Sequence, residues 1–324
     1  MQPVLMFFMN TVKMRLPNWL IILYVVLAII CTFLTFFAFW MSTMNSVFHR
    51  NLKRLYQIGV LSWFVLITSK ILMIIARLVF FPYGSDSLTP TCLFILTISA
   101  FLRYYFVFFF CAIPLSITIE RTFATIWLRD YERSKRFWIL WLIVLPNMLN
   151  ATILSYLVIS QLFTILMMAL YVTSVLSLAF IIFVCLFWYN SRKFHNLEKH
   201  HRQTTYTLSI KYQLKENLVT LRSMRKMLIV ILIAIFVIFL AYVVPAVYDF
   251  PDLWATHTIL DGFFNFFPLY TTPAYAYCIP QCRELVAAMI GRSKSVREIV
   301  RSNETDIYFI LFQKSITFTG AHQS

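Results

Sequence analysis

The chain has 324 residues, of which 60% are hydrophobic and 13% charged, and a formal net charge of +15. Soluble domains carry about 25% charged residues to cover their surface, so composition excludes an ordinary soluble fold. Lipid tolerates no unpaired backbone groups, which leaves helices or a closed barrel; the apolar runs are continuous and far longer than the roughly ten-residue alternating strands of a barrel, so helices are predicted.

One crossing needs about 20 apolar residues at about 1.5 Å per residue. Taken in chain order, residues 1–18 form a short outer segment. The first crossing is predicted at 19–44 and acts as its own membrane signal, since the short apolar start lacks the basic flank of a cleavable signal peptide. Arg50, Lys53 and Arg54 follow. Crossings at 55–81 and 92–120 are separated by the turn sequence Pro82-Tyr83-Gly84-Ser85-Asp86. From 137 to 191 no residue is charged, and both flanks are basic; this is an out-and-back hairpin with crossings at 137–158 and 163–189. The last pair, 227–248 and 258–279, is broken by Asp249, Pro251 and Asp252. An amphipathic helix and tail at 283–324 complete an all-α membrane protein, a bundle of seven transmembrane helices.

Charge orients it. Three basic residues lie in 49–54, five in 121–136, nine in 192–226 and six after 282, which is 23 of the 28 Lys and Arg, and the three opposite loops hold none. Basic loops stay cytoplasmic, so the amino terminus is predicted outside and the carboxyl terminus inside. The same bias accounts for the positive net charge without nucleic acid. Pro146, Pro245, Pro268 and Pro273 are expected to interrupt their helices. The six cysteines have no metal or disulfide-framework spacing, and His195, His200 and His201 have no recognised metal spacing. Neither a cofactor nor a catalytic set is indicated.

At the inner end of the third crossing stand Glu120-Arg121-Thr122-Phe123-Ala124-Thr125, followed by Asp130-Tyr131-Glu132; Lys211-Tyr212-Gln213-Leu214-Lys215-Glu216-Asn217 precedes the sixth. From the residues alone, Arg121 is either an interface-marking arginine that snorkels or half of a functional pair. These motifs, in this order along a seven-span chain, resemble the nematode serpentine receptor class epsilon chemoreceptors. The resemblance implies a G-protein-coupled receptor for a small-molecule chemical cue, with a heterotrimeric G protein as partner, in the plasma membrane of sensory cilia. Arg121 also resembles the arginine of the Asp-Arg-Tyr motif in rhodopsin-like receptors, which implies a resting pair with Glu120. Three departures from that pattern are plain. The Asn-Pro-x-x-Tyr of the seventh crossing is only loosely echoed by Asn265-Phe266-Phe267-Pro268-Leu269-Tyr270. Cys92 has no outer partner, and no acid stands near the start of the sixth crossing to hold Arg121.

The coupling surface is expected to comprise Glu120, Arg121, Asp130, Tyr131, Glu132, Leu214, Leu218 and Arg222. Leu214, Leu218, Leu221, Met224 and Leu228 fall at helical spacing, with Lys215, Arg222 and Arg225 elsewhere on the cylinder, as in a cytoplasmic extension of the sixth helix. An amphipathic stretch lying on anionic lipid is the alternative. Cys282 is a candidate for palmitoylation, with a plain thiol as the alternative.

Charges inside lipid normally face the bundle interior. Lys70, Arg103 and Asp261, with Tyr104, Asn147 and Tyr270, are candidates to line an outer cavity suited to anionic or hydrogen-bond-accepting ligands; a structural pairing of Lys70 and Arg103 with Asp261 is the alternative. Arg77 lies near enough to the outer end of its crossing to snorkel. A seven-span ligand-gated channel or transporter of the insect odorant-receptor type is the competing function. It places the amino terminus inside, against the charge tally.

Overall fold

The computed structural model describes residues 18–44, 48–80, 89–127, 137–199, 208–247, 262 and 265–289. The helices among them are α1 (Asn18–Met44), α2 (Arg50–Leu61), α3 (Trp63–Phe80), α4 (Pro90–Ile126), α5 (Phe137–Ile159), α6 (Ile165–Lys199), α7 (Leu208–Val247), α8 (Pro268–Cys278) and α9 (Pro280–Met289). By length and composition α1, the rod formed by α2 and α3, α4, α5 and α6 can each cross a membrane. Their outward faces are apolar: Phe33 is 71% exposed and Leu142 53%. A surface of that kind suits lipid and not water, and the molecule is a helical membrane bundle.

The elements follow local rules. Thr89 caps α4, its side chain accepting from the Cys92 amide at 3.3 Å, and Pro90 occupies the first turn, where its missing N–H costs nothing. At 37 residues α4 is about 55 Å long. It outreaches a bilayer core of about 30 Å, so a tilted helix projecting past the membrane accounts for its length. Between α5 and α6 the chain reverses through Gln161, whose φ of 61° is left-handed. Pro280 stops α8 because the residue before proline disfavours helix; Ile279 is extended, and α9 sets off anew. Pro146 and Pro273 lie inside α5 and α8 as expected. Pro268, expected to interrupt a helix, instead starts α8. Pro114, inside α4, went unremarked in the sequence.

α4 is the central strut, packed against α2, α3, α5, α6 and α7, while α8 touches α1 and α7 and closes the ring. Gly59 permits the close approach of α2 to α4, since a Cβ there would lie 2.9 Å from Ile113 Cδ1. Ser69 and Ser99 lock α3 to α4 reciprocally, each hydroxyl donating to the other's carbonyl, at 2.7 and 2.8 Å. Trp63 Nε1 donates to the Asn265 carbonyl at 2.7 Å and pins α3 to the approach to α8. Direct polar contacts of this kind suit a membrane bundle, where packing and hydrogen bonds, not water exclusion, hold helices together.

Candidate functional site

Glu120 and Arg121 occupy the last two turns of α4, at the end of the bundle that also carries Arg50, Lys53 and Arg54. Both side chains are buried, at 0% and 4% exposure. The guanidinium clasps its neighbour's carboxylate with Nε to Oε2 at 2.5 Å and Nη2 to Oε1 at 2.7 Å. A two-point, charge-assisted geometry of this kind is the strong form of an Arg–carboxylate contact. Burial sets aside the snorkelling alternative, which would place Arg121 in water.

His49 completes the site from the neighbouring connection. It caps α2, its Nδ1 accepting from the Asn51 amide at 3.3 Å, and the same atom lies 4.0 Å from Glu120 Oε1. Burial and the nearby Arg121 guanidinium depress its pKa to about 4, with Arg50 and Lys53 adding to the effect and Glu120 opposing it. The imidazole is therefore neutral at physiological pH, as its accepting role at the cap requires. Alongside, the Arg54 and Arg50 guanidinium carbons stand 4.2 and 5.9 Å from the Phe137 ring centroid and tie the start of α5 to this end.

Leu214, Leu218, Leu221, Met224 and Leu228 are all buried, whereas Lys215, Arg222 and Arg225 are exposed. Leu214 and Leu218 thus hold α7 to the bundle; of the candidates on α7, Arg222 is the exposed one. Asp130, Tyr131 and Glu132 lie outside the described residues.

Cys282 is 3% exposed and belongs to a core cluster with Met41, Phe48, Leu52, Phe183, Leu221 and Tyr275. Burial raises its thiol to about 12, against the opposing pull of a hydrogen bond with Tyr275. An acyl chain on this inward-facing sulfur does not fit the packing. Sequence reasoning missed Tyr275, fully buried at the centre of that cluster; its position two residues after Pro273 was the available signal.

The outer candidates divide. Lys70 Nζ stands 4.8 Å from the Tyr24 ring centroid, Tyr24 packs on Phe266, and Phe266 and Tyr270 flank a cluster of Cys31, Trp63, Leu66, Phe106 and Phe267. Lys70 and Tyr270 therefore share the side of the bundle formed by α1, α3, α4 and α8. Tyr104 packs against the neighbouring cluster of Phe108, Ala151 and Leu154, which meets the first at Phe110. Asn147 lies in the seam between α4 and α5, donating to the Phe109 carbonyl at 3.4 Å, while its Oδ1 is buried with no hydrogen-bond partner in the protein. Arg103 is half-buried on α4. Asp261 lies outside the described residues.

Comparison with known proteins shows the family. The family model for the Sre G protein-coupled chemoreceptors matches residues 3–317. The chain is 30% identical to serpentine receptor class epsilon-21 of Caenorhabditis elegans, over 90% of this chain and 83% of that one. Class epsilon-31 of the same organism is 25% identical, covering 78% and 75%, and class epsilon-1 is 24% identical, covering 58% and 53%. This chain, with its helical membrane bundle built around α4, belongs to the Sre family of G protein-coupled chemoreceptors.

Proposed function

We propose that the chain is a cell-surface receptor with its amino terminus outside, which binds a small chemical cue in its outer half and activates a heterotrimeric G protein at its basic end. The observation that carries this reading is the buried Glu120–Arg121 pair at one end of α4. That helix runs the depth of the bundle and touches five other helices. It can therefore feel a ligand beside Arg103 and report at Arg121, the two-site arrangement that coupling requires. The charge tally supports a cytoplasmic location for the Arg121 end. Lys70, Tyr24 and Tyr270 form the ligand side that the packing supports best, a cationic group among aromatic rings.

The test is a screen of small acids, esters and ketones on cells expressing the full chain, read by dissociation of co-expressed G-protein subunits. An epitope before Pro17 should stain on intact cells, and one after Ser302 only after permeabilisation. Reversed staining removes the orientation and the coupling site with it.

A further inference from the structure

α4, α6 and α7 are joined near the Arg121 end by three uncharged polar side chains: Thr125, Asn190 and Asn217. Asn190 Nδ2 donates to Thr125 Oγ1 at 3.2 Å and to the Leu186 carbonyl at 2.8 Å. Asn217 Nδ2 donates to the same Thr125 oxygen at 3.0 Å and to Asn190 Oδ1 at 3.3 Å. The Thr125 hydroxyl passes its own hydrogen to the Arg121 carbonyl at 2.9 Å. One hydroxyl thus uses its whole capacity, one donor and two acceptors. All three residues are buried, and Leu214, Leu218 and Leu221 of α7 are buried on the turns around them.

We propose that Thr125, Asn190 and Asn217 form a clasp that holds the cytoplasmic part of α7 against α4 and α6 in the resting receptor, and that the clasp parts when the receptor activates. The inference rests on the receptor reading above. Glu120 and Arg121 are neighbours on one helix, so their mutual bond joins no two helices; the clasp joins three. No acid on α7 is needed for such a lock, which answers the departure from the rhodopsin-like pattern seen in the sequence. Its bonds run between neutral groups, so each shifts the balance by only about threefold. A cue with modest preference for the open state can overcome a lock of that strength. The closed arrangement is also imperfect. Asn217 Oδ1 is buried with no hydrogen-bond partner in the protein, and opening towards water would satisfy it.

The experiment uses the full chain in lipid nanodiscs, with spin labels at Arg192→Cys on α6 and Lys215→Cys on α7, both exposed, and with the exposed Cys185 changed to Ser. Thr125→Val removes the hydroxyl at constant shape, Asn217→Ala removes the amide, and Thr125→Ser retains the hydroxyl. Expected are longer interlabel distances for Thr125→Val and Asn217→Ala and parental distances for Thr125→Ser. In cells, ligand-independent G-protein dissociation should rise about threefold or more in the first two variants. Parental distances in both Thr125→Val and Asn217→Ala would overturn the clasp. So would loss of Thr125→Val from the cell surface with rescue by Thr125→Ser, since the group would then serve folding alone. Longer distances with no G-protein response would support the clasp and remove the coupling reading instead.

Discussion

Tyr56 and Tyr275 stack with ring centroids 4.1 Å apart and planes inclined by 21°, so that α2 and α8 meet through two aromatic faces. Phe48 meets the edge of Tyr275 at 6.4 Å, and the Tyr275 side chain has no exposure at all. Tyr275→Ala would empty the centre of the cluster that joins α1, α2, α6, α7, α8 and α9. Truncating a buried aromatic costs about 3–5 kcal/mol. The detergent-solubilised receptor should therefore melt well below the parent, whereas Tyr275→Phe, which keeps the ring, should lose only about 1 kcal/mol with its hydroxyl bond. Equal melting temperatures for Tyr275→Ala and the parent would show that the cluster does not hold the bundle.

His49 gives the fold a pH dependence of definite sign. Its folded pKa is depressed from 6.5 to about 4, so between those values the unfolded chain binds a proton that the folded chain does not. Stability contributed by the neutral cap is present above about pH 6.5 and is lost as pH falls towards 4. Protonation would also remove the lone pair that accepts from Asn51 and add a charge beside Arg50, Lys53 and Arg121. The melting temperature should fall between pH 6.5 and 5, and His49→Asn, a good cap that does not titrate, should flatten that slope. An unchanged slope in His49→Asn would assign the dependence to other groups.

What was legible in the sequence was whatever is carried by periodicity and by charge. The stripe of Leu214, Leu218, Leu221, Met224 and Leu228 could be read because helical spacing keeps a buried face in register. The Glu120–Arg121 pair could be read because its partners adjoin. Asn190 could not: it ends an uncharged run that looks like any crossing, and its partners stand 65 and 27 residues away. Contacts between helices obey no period, and a lone Asn carries no mark of which neighbour it meets. The orientation of Cys282 could not be read for the same reason, since a position just past the last crossing says nothing about which way the sulfur faces. Asn147 was grouped with the outer candidates by depth alone, and its rotation about α5 turned it into the seam with α4.

In the half of the bundle away from Arg121, Lys70 sits over the Tyr24 ring and Arg103 is half-buried on α4. Once a cue is found, Arg103→Gln should abolish or shift the response at normal surface expression. Lys70→Met should act most strongly on cues that carry a carboxylate, because the lost charge faces aromatic rings where water competes poorly. Tyr104→Phe, in the cluster against α5 and keeping its ring, should change the response less than either. Concentration–response curves with parallel surface labelling decide the matter; unchanged curves for both Arg103→Gln and Lys70→Met would remove the cationic site.

The Glu120–Arg121 pair calls for variants chosen with its burial in mind. Arg121→Ala would leave the Glu120 carboxylate at 0% exposure without its bidentate partner, and stranding one member of a buried pair costs about 3–5 kcal/mol. Loss of signalling in that variant could then reflect poor folding as readily as poor coupling, and its surface expression is expected to fall. Removing both charges avoids the problem. Glu120→Gln combined with Arg121→Gln leaves two neutral amides able to hydrogen-bond in the same space, so surface expression should recover towards the parental level. G-protein activation should not recover if the guanidinium is what the transducer meets when α7 moves. Glu120→Gln alone should raise basal activity, because it weakens the hold on Arg121 while keeping the group that couples. Surface labelling and G-protein dissociation, measured together on the three variants, separate these roles. Normal signalling by the double variant would make the pair a structural anchor of α4, and coupling would then have to be sought on exposed groups such as Arg222.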